Sequence, residues 1–253
     1  MTSAGGENDE APGAMRALGD APATARRDEL AANLAQVHAR IARAVAAAGR
    51  TDEPALVVVT KFFPASDADL LAGLGVTAIG ENRDQEAAAK CAELASRDRL
   101  TLHFIGQLQS NKATSVARYA DVVQSLDRAK VVRALDRGAH EAGRTLEVTV
   151  QVNLDEVPGR GGVAPGEARS LADLVAGSSS LTLRGVMAVA PLGGDPRSAF
   201  ARLRAVADGI LADHPGATWM SAGMSGDLEA AVAEGATHLR VGSAILGSRQ
   251  PHR

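Results

Sequence analysis

Apolar residues recur at three- and four-residue steps from Arg26 onward, so that Leu30, Leu34, Val37, Ile41 and Val45 share one helix face until Gly49 stops it. After Ala55 the pattern changes. Short β-branched runs alternate with Ala-rich helical stretches, the rhythm of parallel strands joined by crossover helices. Strands are predicted at 56–60, 77–80, 102–106, 122–125, 147–152, 183–188, 218–221 and 239–241. The intervening stretches, roughly ten to twenty residues each, are long enough for the right-handed crossover that a parallel strand requires. Eight such units in about 200 residues match the lower end of the size range of a closed (β/α)8 TIM barrel of the α/β class. A doubly wound open sheet is the rival. It would carry a Gly-rich turn after its first strand, where this chain has Lys61-Phe-Phe-Pro, so the barrel with an extra N-terminal helix is expected. Residues 1–25 are rich in Ala, Gly, Pro, Asp and Glu without apolar periodicity and are expected to be a disordered tail, leaving 26–253 as the barrel domain.

Composition narrows the partners. With 45% hydrophobic and 23% charged residues, the 253-residue chain reads as an ordinary globular protein. One Trp, one Tyr and four Phe cannot furnish stacking platforms for single-stranded nucleic acid, and a net charge of -3 offers no phosphate-seeking surface, so nucleic acid is not expected as a partner. The single Cys91 excludes an intramolecular disulfide and a cysteine-built metal site. Neither a basic start followed by an apolar core nor an uncharged run of bilayer-spanning length is present, so a cytoplasmic protein with no membrane partner is expected.

A barrel places its chemistry on the loops that follow the strands, and the unusual residues fall there. Lys61 ends the first predicted strand, Glu81 and Asn82 the second, Gln107 and Asn111 follow the third, and Ser221 to Ser225 the seventh, while Arg240 and Gly242 lie at the eighth. An ammonium at the end of the apolar run before Lys61 either snorkels to water from the rim or, desolvated, becomes a nucleophilic amine able to condense with an aldehyde. Both readings stay open on Lys61 alone. In Ser221-Ala-Gly-Met-Ser-Gly-Asp-Leu-Glu, Ser225 is placed to cap the following helix, and Gly223 and Gly226 let backbone approach an anion closely. Gly242 and Ser243 would supply the neighbouring half of a phosphate site after strands seven and eight, unless these residues only cap and turn the chain. Arg240, inside the apolar run Leu239-Arg-Val, needs an acceptor: a salt bridge in the barrel, or a pyridine nitrogen that it would keep unprotonated. His103, alone on an apolar strand with no second His at ligand spacing, reads as a satisfied core residue, and no metal is expected.

The segments Val59-Thr-Lys-Phe-Phe-Pro, Ile79-Gly-Glu-Asn-Arg-Asp-Gln-Glu, His103-Phe-Ile-Gly-Gln-Leu-Gln-Ser-Asn-Lys, Arg184-Gly-Val-Met-Ala, Met220-Ser-Ala-Gly-Met-Ser-Gly-Asp-Leu-Glu-Ala-Ala and Leu239-Arg-Val-Gly-Ser-Ala-Ile-Leu-Gly occur in that order. Together they resemble the pyridoxal-phosphate homeostasis protein family, single-domain relatives of the alanine racemase barrel. The resemblance implies that Lys61 carries pyridoxal 5′-phosphate as a Schiff base, that Arg240 faces its ring nitrogen, that Ser221, Gly223, Ser225, Gly242 and Ser243 surround its phosphate, and that Asn82 lies near it. His103 and Asn111 are assigned support of the rim. Two departures stand out: Phe63 and Arg160 replace lysines that many members carry, and if those lysines pass cofactor onward, that step differs here.

Racemases of this type need a second domain, a dimer partner and a tyrosine acid/base. This chain has only Tyr119, and no length is expected to remain for a second domain. The expectation is therefore a monomeric, non-enzymatic protein that holds pyridoxal phosphate for intracellular homeostasis and delivers it to apoenzymes. A weak amino-acid racemase or decarboxylase is the alternative, and a sugar-phosphate aldolase using Lys61 is a more distant one.

Overall fold

Eight parallel strands close into a barrel in chain order in the computed structural model, which describes residues 13–155 and 160–247. The strands are β1 (Ala55–Val59), β2 (Ala78–Glu81), β3 (Thr101–Phe104), β4 (Val122–Leu126), β5 (Leu146–Gln151), β6 (Leu181–Met187), β7 (Trp219–Ser221) and β8 (His238–Val241). Val57 of β1 aligns with Arg240 of β8, and this pairing closes the ring. Each predicted strand is present, with ends displaced by at most two residues. The helices α2 (Ala65–Gly73), α3 (Asp84–Glu93), α4 (Ala113–Tyr119), α5 (Ala129–Glu141), α6 (Ala168–Ala176), α7 (Pro196–Asp213) and α8 (Leu228–Ala233) follow β1 to β7 in turn, and α9 (Ser243–Leu246) follows β8. Local chemistry sets their ends. In α7, Pro196 occupies the first turn and the Asp195 carboxylate accepts from the Arg197 and Ser198 amides, each at 3.1 Å.

Side-chain alternation divides the sheet into two faces. Val58, Ile79, Leu102, Phe104, Val123, Val148 and Leu239 join the apolar layer between strands and helices. Val57, Val59, Gly80, His103, Gln124, Thr149, Ser221 and Arg240 alternate with them and face the barrel interior, which is consequently polar around its middle. On β6 the alternation reverses. Leu181 and Leu183 face the helices, yet so do Val186 and Ala188, because the register against β5 shifts between Val148 and Thr149. Gly185 absorbs that shift at φ 146°, where an added Cβ would lie 1.9 Å from the Trp219 carbonyl oxygen. Gly185→Ala is expected to lower stability by about 3 kcal/mol, read from the urea midpoint at constant m-value, because neither backbone can yield without breaking β6 from β7.

The expected disordered tail is corrected over residues 13–25. The first helix, α1 (Gly13–Ala47), starts there rather than near Arg26. That segment has no apolar stripe and contains Gly19 and Pro22, so no helix signal stands in the sequence there; its alanines, with Met15, Leu18 and Arg16, extend a helix already nucleated downstream. Residues 1–12 of the predicted tail lie outside the described residues. As expected, Leu30, Leu34, Val37 and Ile41 are buried, and Gly49 ends the helical path at φ 65°. The polar side chains of α1 reach the end of the barrel chain. Asn33 donates to the Ile245 carbonyl at 2.9 Å and Arg26 to the Leu246 carbonyl at 3.1 Å, so the last two open carbonyls of α9 are satisfied. Among the described residues no helix is long and apolar enough to cross a membrane.

Candidate functional site

Period two along β1 puts Lys61 on the same face as Val57 and Val59, at the rim. Phe62 turns the chain there at φ 69°, a left-handed conformation unusual for a bulky residue, and the Phe63 amide closes the turn on the Thr60 carbonyl at 3.1 Å. A cavity of about 270 Å³ opens beside this turn, lined by Val59, Lys61, Phe62, Phe63, Gly242, Ser243 and Gly247. Lys61 thus shares a cavity with Gly242 and Ser243.

The two halves of the predicted phosphate site are tied together. The Arg240 amide donates to the Gly223 carbonyl at 2.9 Å, Ser243 Oγ donates to Ser225 Oγ at 3.3 Å, and the Ala244 amide reaches Ser225 Oγ at 3.4 Å. Both glycines are required by close approach. A Cβ on Gly223 would stand 2.6 Å from the Ala231 Cβ, and one on Gly242 would stand 3.0 Å from the Val59 carbonyl oxygen. The expected helix cap at Ser225 is corrected: α8 begins at Leu228 with Asp227 at its N-cap position, and Asp227 Oδ1 accepts from the Met224 amide at 2.6 Å. A turn over residues 225–227 delays the helix, leaving the Ser225 hydroxyl to join the Gly242–Ser243 segment instead. From outside, Arg40 of α1 donates to the Ser225 carbonyl at 3.1 Å and pairs with Glu229.

Beneath the rim, Arg240 is 4% exposed and makes no ion pair among the described residues. Its guanidinium donates to Ser221 Oγ at 2.7 Å and to the Ala188 carbonyl at 2.8 Å, both neutral acceptors. Burial pulls its pKa down to about 10, opposed by the charge of Asp227, so it stays a cation at neutral pH. Ser221 Oγ in turn donates to Gln124 Oε1 at 2.8 Å, and Gln124 Nε2 lies 2.9 Å from His103 Nδ1. His103 is held neutral, its pKa pushed to about 3 by burial and by the neighbouring His238 and Arg240. It is the satisfied core residue that its isolation on an apolar strand suggested. No group of His, Cys, Asp and Glu among the described residues could hold a metal ion.

A sequence profile described as "Alanine racemase, N-terminal domain" matches residues 26–250. A pyridoxal phosphate homeostasis protein of Mycobacterium tuberculosis is 42% identical over 244 residues, covering 89% of this chain and 95% of that one. The chain belongs to the pyridoxal phosphate homeostasis protein family. PipY of Synechococcus elongatus, whose structure was solved with PLP bound, aligns at a TM-score of 0.74 with 34% identity, over 86% of this chain and 100% of its own. An alanine racemase of Streptomyces coelicolor shares the fold at a TM-score of 0.70 with 17% identity, and this chain spans 58% of its length.

Against that family background, Asn82 stands apart from the other predicted residues. It lines a separate cavity of about 380 Å³ with Arg83, Asp84, Gln107 and Lys112, and its Oδ1 is buried with no hydrogen-bond partner among the described residues. Its backbone is locked by Gly106, where a Cβ would fall 2.0 Å from the Asn82 carbonyl oxygen. Asn111 is exposed. The two departures from the family pattern are each accommodated. Phe63 packs against the apolar layer with the Arg26 guanidinium 5.8 Å from its ring centre, and Arg160 pairs with Asp155 at 3.0 Å.

Sequence reasoning placed Glu81 at the end of the second strand but missed its partner Lys90, and it missed Gln124. Glu81 and Lys90, both buried, form an ion pair in the helix layer directly behind Lys61. Lys90 also donates to the Thr60 carbonyl at 2.7 Å, and Thr60 Oγ1 donates to Glu81 Oε1 at 2.6 Å, which pins the residue before Lys61. Gln124 is the second omission. The signal in each case was a polar side chain set within an apolar pattern, but its partner lay on another element.

Proposed function

We propose that this protein binds pyridoxal 5′-phosphate at Lys61 and serves in the intracellular, cytoplasmic homeostasis of that cofactor, with pyridoxal-phosphate-dependent apoenzymes as recipients. The observation that carries the reading is the buried Arg240 with no anionic partner among the described residues. A charge left uncompensated in a barrel interior costs roughly 3–5 kcal/mol, and an anionic, nitrogen-containing ligand reaching it from the rim would offset that cost. The residues fit the group. Lys61 supplies the amine, Ser225 and Ser243 the hydroxyls and Gly223 and Gly242 the Cβ-free backbone around a phosphate, and Arg240 the donor toward a ring nitrogen. Bound there, pyridoxal phosphate supplies a reactive aldehyde carbon and a ring able to accept electrons. Arg240, protonated at neutral pH, can only donate, so a ring nitrogen facing it carries no proton and its electron demand is weakened.

Among the described residues, the one tyrosine is not placed for proton transfer at this site. Tyr119 lies on α4, its hydroxyl donates to Asp84 at 3.2 Å, and burial pushes its pKa up, so it does not serve as a base. The test is reconstitution with pyridoxal phosphate followed by borohydride reduction and mass spectrometry, and then a screen of amino acids for deuterium exchange at Cα. One cofactor per chain and exchange no faster than with free pyridoxal phosphate are expected. Robust exchange with any amino acid would establish the racemase reading in place of this one.

A further inference from the structure

The interior hydrogen-bond chain has a direction, and its origin lies with Gln124. An arginine only donates, so Ser221 Oγ must present a lone pair to Arg240, 2.7 Å away. The one hydroxyl proton then needs an acceptor elsewhere. Gln124 Oε1, 2.8 Å from Ser221 Oγ, is that acceptor. The amide cannot be turned around without loss. With Nε2 toward Ser221, two donors would face one hydroxyl whose own proton had no acceptor, and Oε1 would face His103 Nδ1. As it stands, Nε2 donates to His103 Nδ1 at 2.9 Å, which places the imidazole proton on Nε2. Thr149 Oγ1 donates to the Gln124 carbonyl at 2.9 Å and holds that stretch of β4 in place. Gln124 and His103 are both buried, so no water competes for these bonds.

We propose that Gln124 is a positioning residue for the cofactor site, committing the Ser221 proton away from Arg240 and so fixing the guanidinium plane that faces the ligand. Two of the five N–H groups of Arg240 are used by Ser221 and Ala188, and because the guanidinium is rigid and planar, their directions set those of the other three. Without an acceptor at Gln124, the Ser221 proton competes for the same acceptors as the arginine, and the guanidinium loses its alignment. This proposal rests on the pyridoxal phosphate reading above.

The experiment is a double-mutant cycle of Gln124→Met and Ser221→Ala on the full chain, read by pyridoxal phosphate affinity and by the visible absorption maximum of the loaded protein. Gln124→Met is expected to weaken binding by about tenfold and to shift the maximum, Ser221→Ala to do the same, and the double variant to match either single one. If Gln124→Met fails to give a folded protein by thermal melting, Gln124→Asn replaces it in the cycle, since it withdraws the amide by one methylene while keeping it polar. Unchanged affinity and maximum in the Gln124 variant, or effects that add in the double variant, overturn the proposal. A parent protein that takes up no pyridoxal phosphate overturns the underlying reading instead, so the two failures are distinguishable.

Discussion

Lys61→Ala is expected to lose the borohydride-reducible visible chromophore completely. The expectation is strong because the chain contains only four lysines, Lys61, Lys90, Lys112 and Lys130, and the other three are placed against the role. Lys90 is committed to Glu81 and the Thr60 carbonyl in the helix layer, on the opposite face of the sheet from Lys61. Lys112 lies in the separate cavity near Asp84, 3.6 Å from its carboxylate, and Lys130 is exposed on α5. Lys61 alone among them lines the cavity that contains Gly242 and Ser243. The variant should still bind pyridoxal phosphate weakly without covalent attachment, since Arg240 and the serines remain, and equilibrium dialysis would detect that residue of affinity. Retention of a reducible adduct in Lys61→Ala, mapped to another lysine by peptide mass spectrometry, would overturn the assignment. The folded state should be little affected, because Lys61 is only half-buried at the rim.

The second large effect is acid sensitivity. Burial holds His103 at a pKa of about 3 and His238 at about 4, against an ordinary value of 6.5. Both are neutral in the native barrel, and both take up protons on unfolding at any pH between their folded values and 6.5. The unfolded state therefore binds more protons in that window, and stability falls as pH drops through it. At pH 5 each histidine shifts the balance toward unfolding by about 2 kcal/mol relative to pH 7.5, together about 4 kcal/mol, from about 1.4 kcal/mol per pH unit. Urea denaturation at the two pH values measures this directly. Replacing His103 by Gln should remove about half of the pH-dependent difference, whatever it does to stability at pH 7.5, and a difference unaltered by that substitution would sink the account. Trp219, whose ring centre is 4.2 Å from that of His238, gives the unfolding an intrinsic fluorescence probe.

Much of the barrel was legible along the chain because each strand is a local event. An apolar run that must be covered on one face by helices and on the other by neighbouring strands announces itself by composition, and all eight did. The start of α1 was not legible. Residues 13–25 include Gly19 and Pro22 and show no periodicity, so neither propensity nor pattern announces a helix there. The reversal of alternation on β6 was hidden for a related reason: Leu181 and Leu183 followed by Val186 and Ala188 reads as one apolar run until the pairing with β5 shows the register shift.

At the site, the residues that were identified carry unusual chemistry where a barrel puts its loops: a lysine at a strand end, an arginine in an apolar strand, and serines among glycines. Gln124 and Lys90 escaped because each is ordinary by itself, and Glu81, though noticed at its strand end, does not announce its partner. Gln124 meets Ser221 from 97 positions away, and nothing in either segment encodes the other. By itself, then, the sequence determined the strand and helix rhythm, the rim positions and the family, since these depend on burial periodicity and on residue types that are costly where they stand. Only the closed barrel decided which polar groups meet across its interior, because a hydrogen bond between distant strands exists only once closure brings them within about 3 Å of each other.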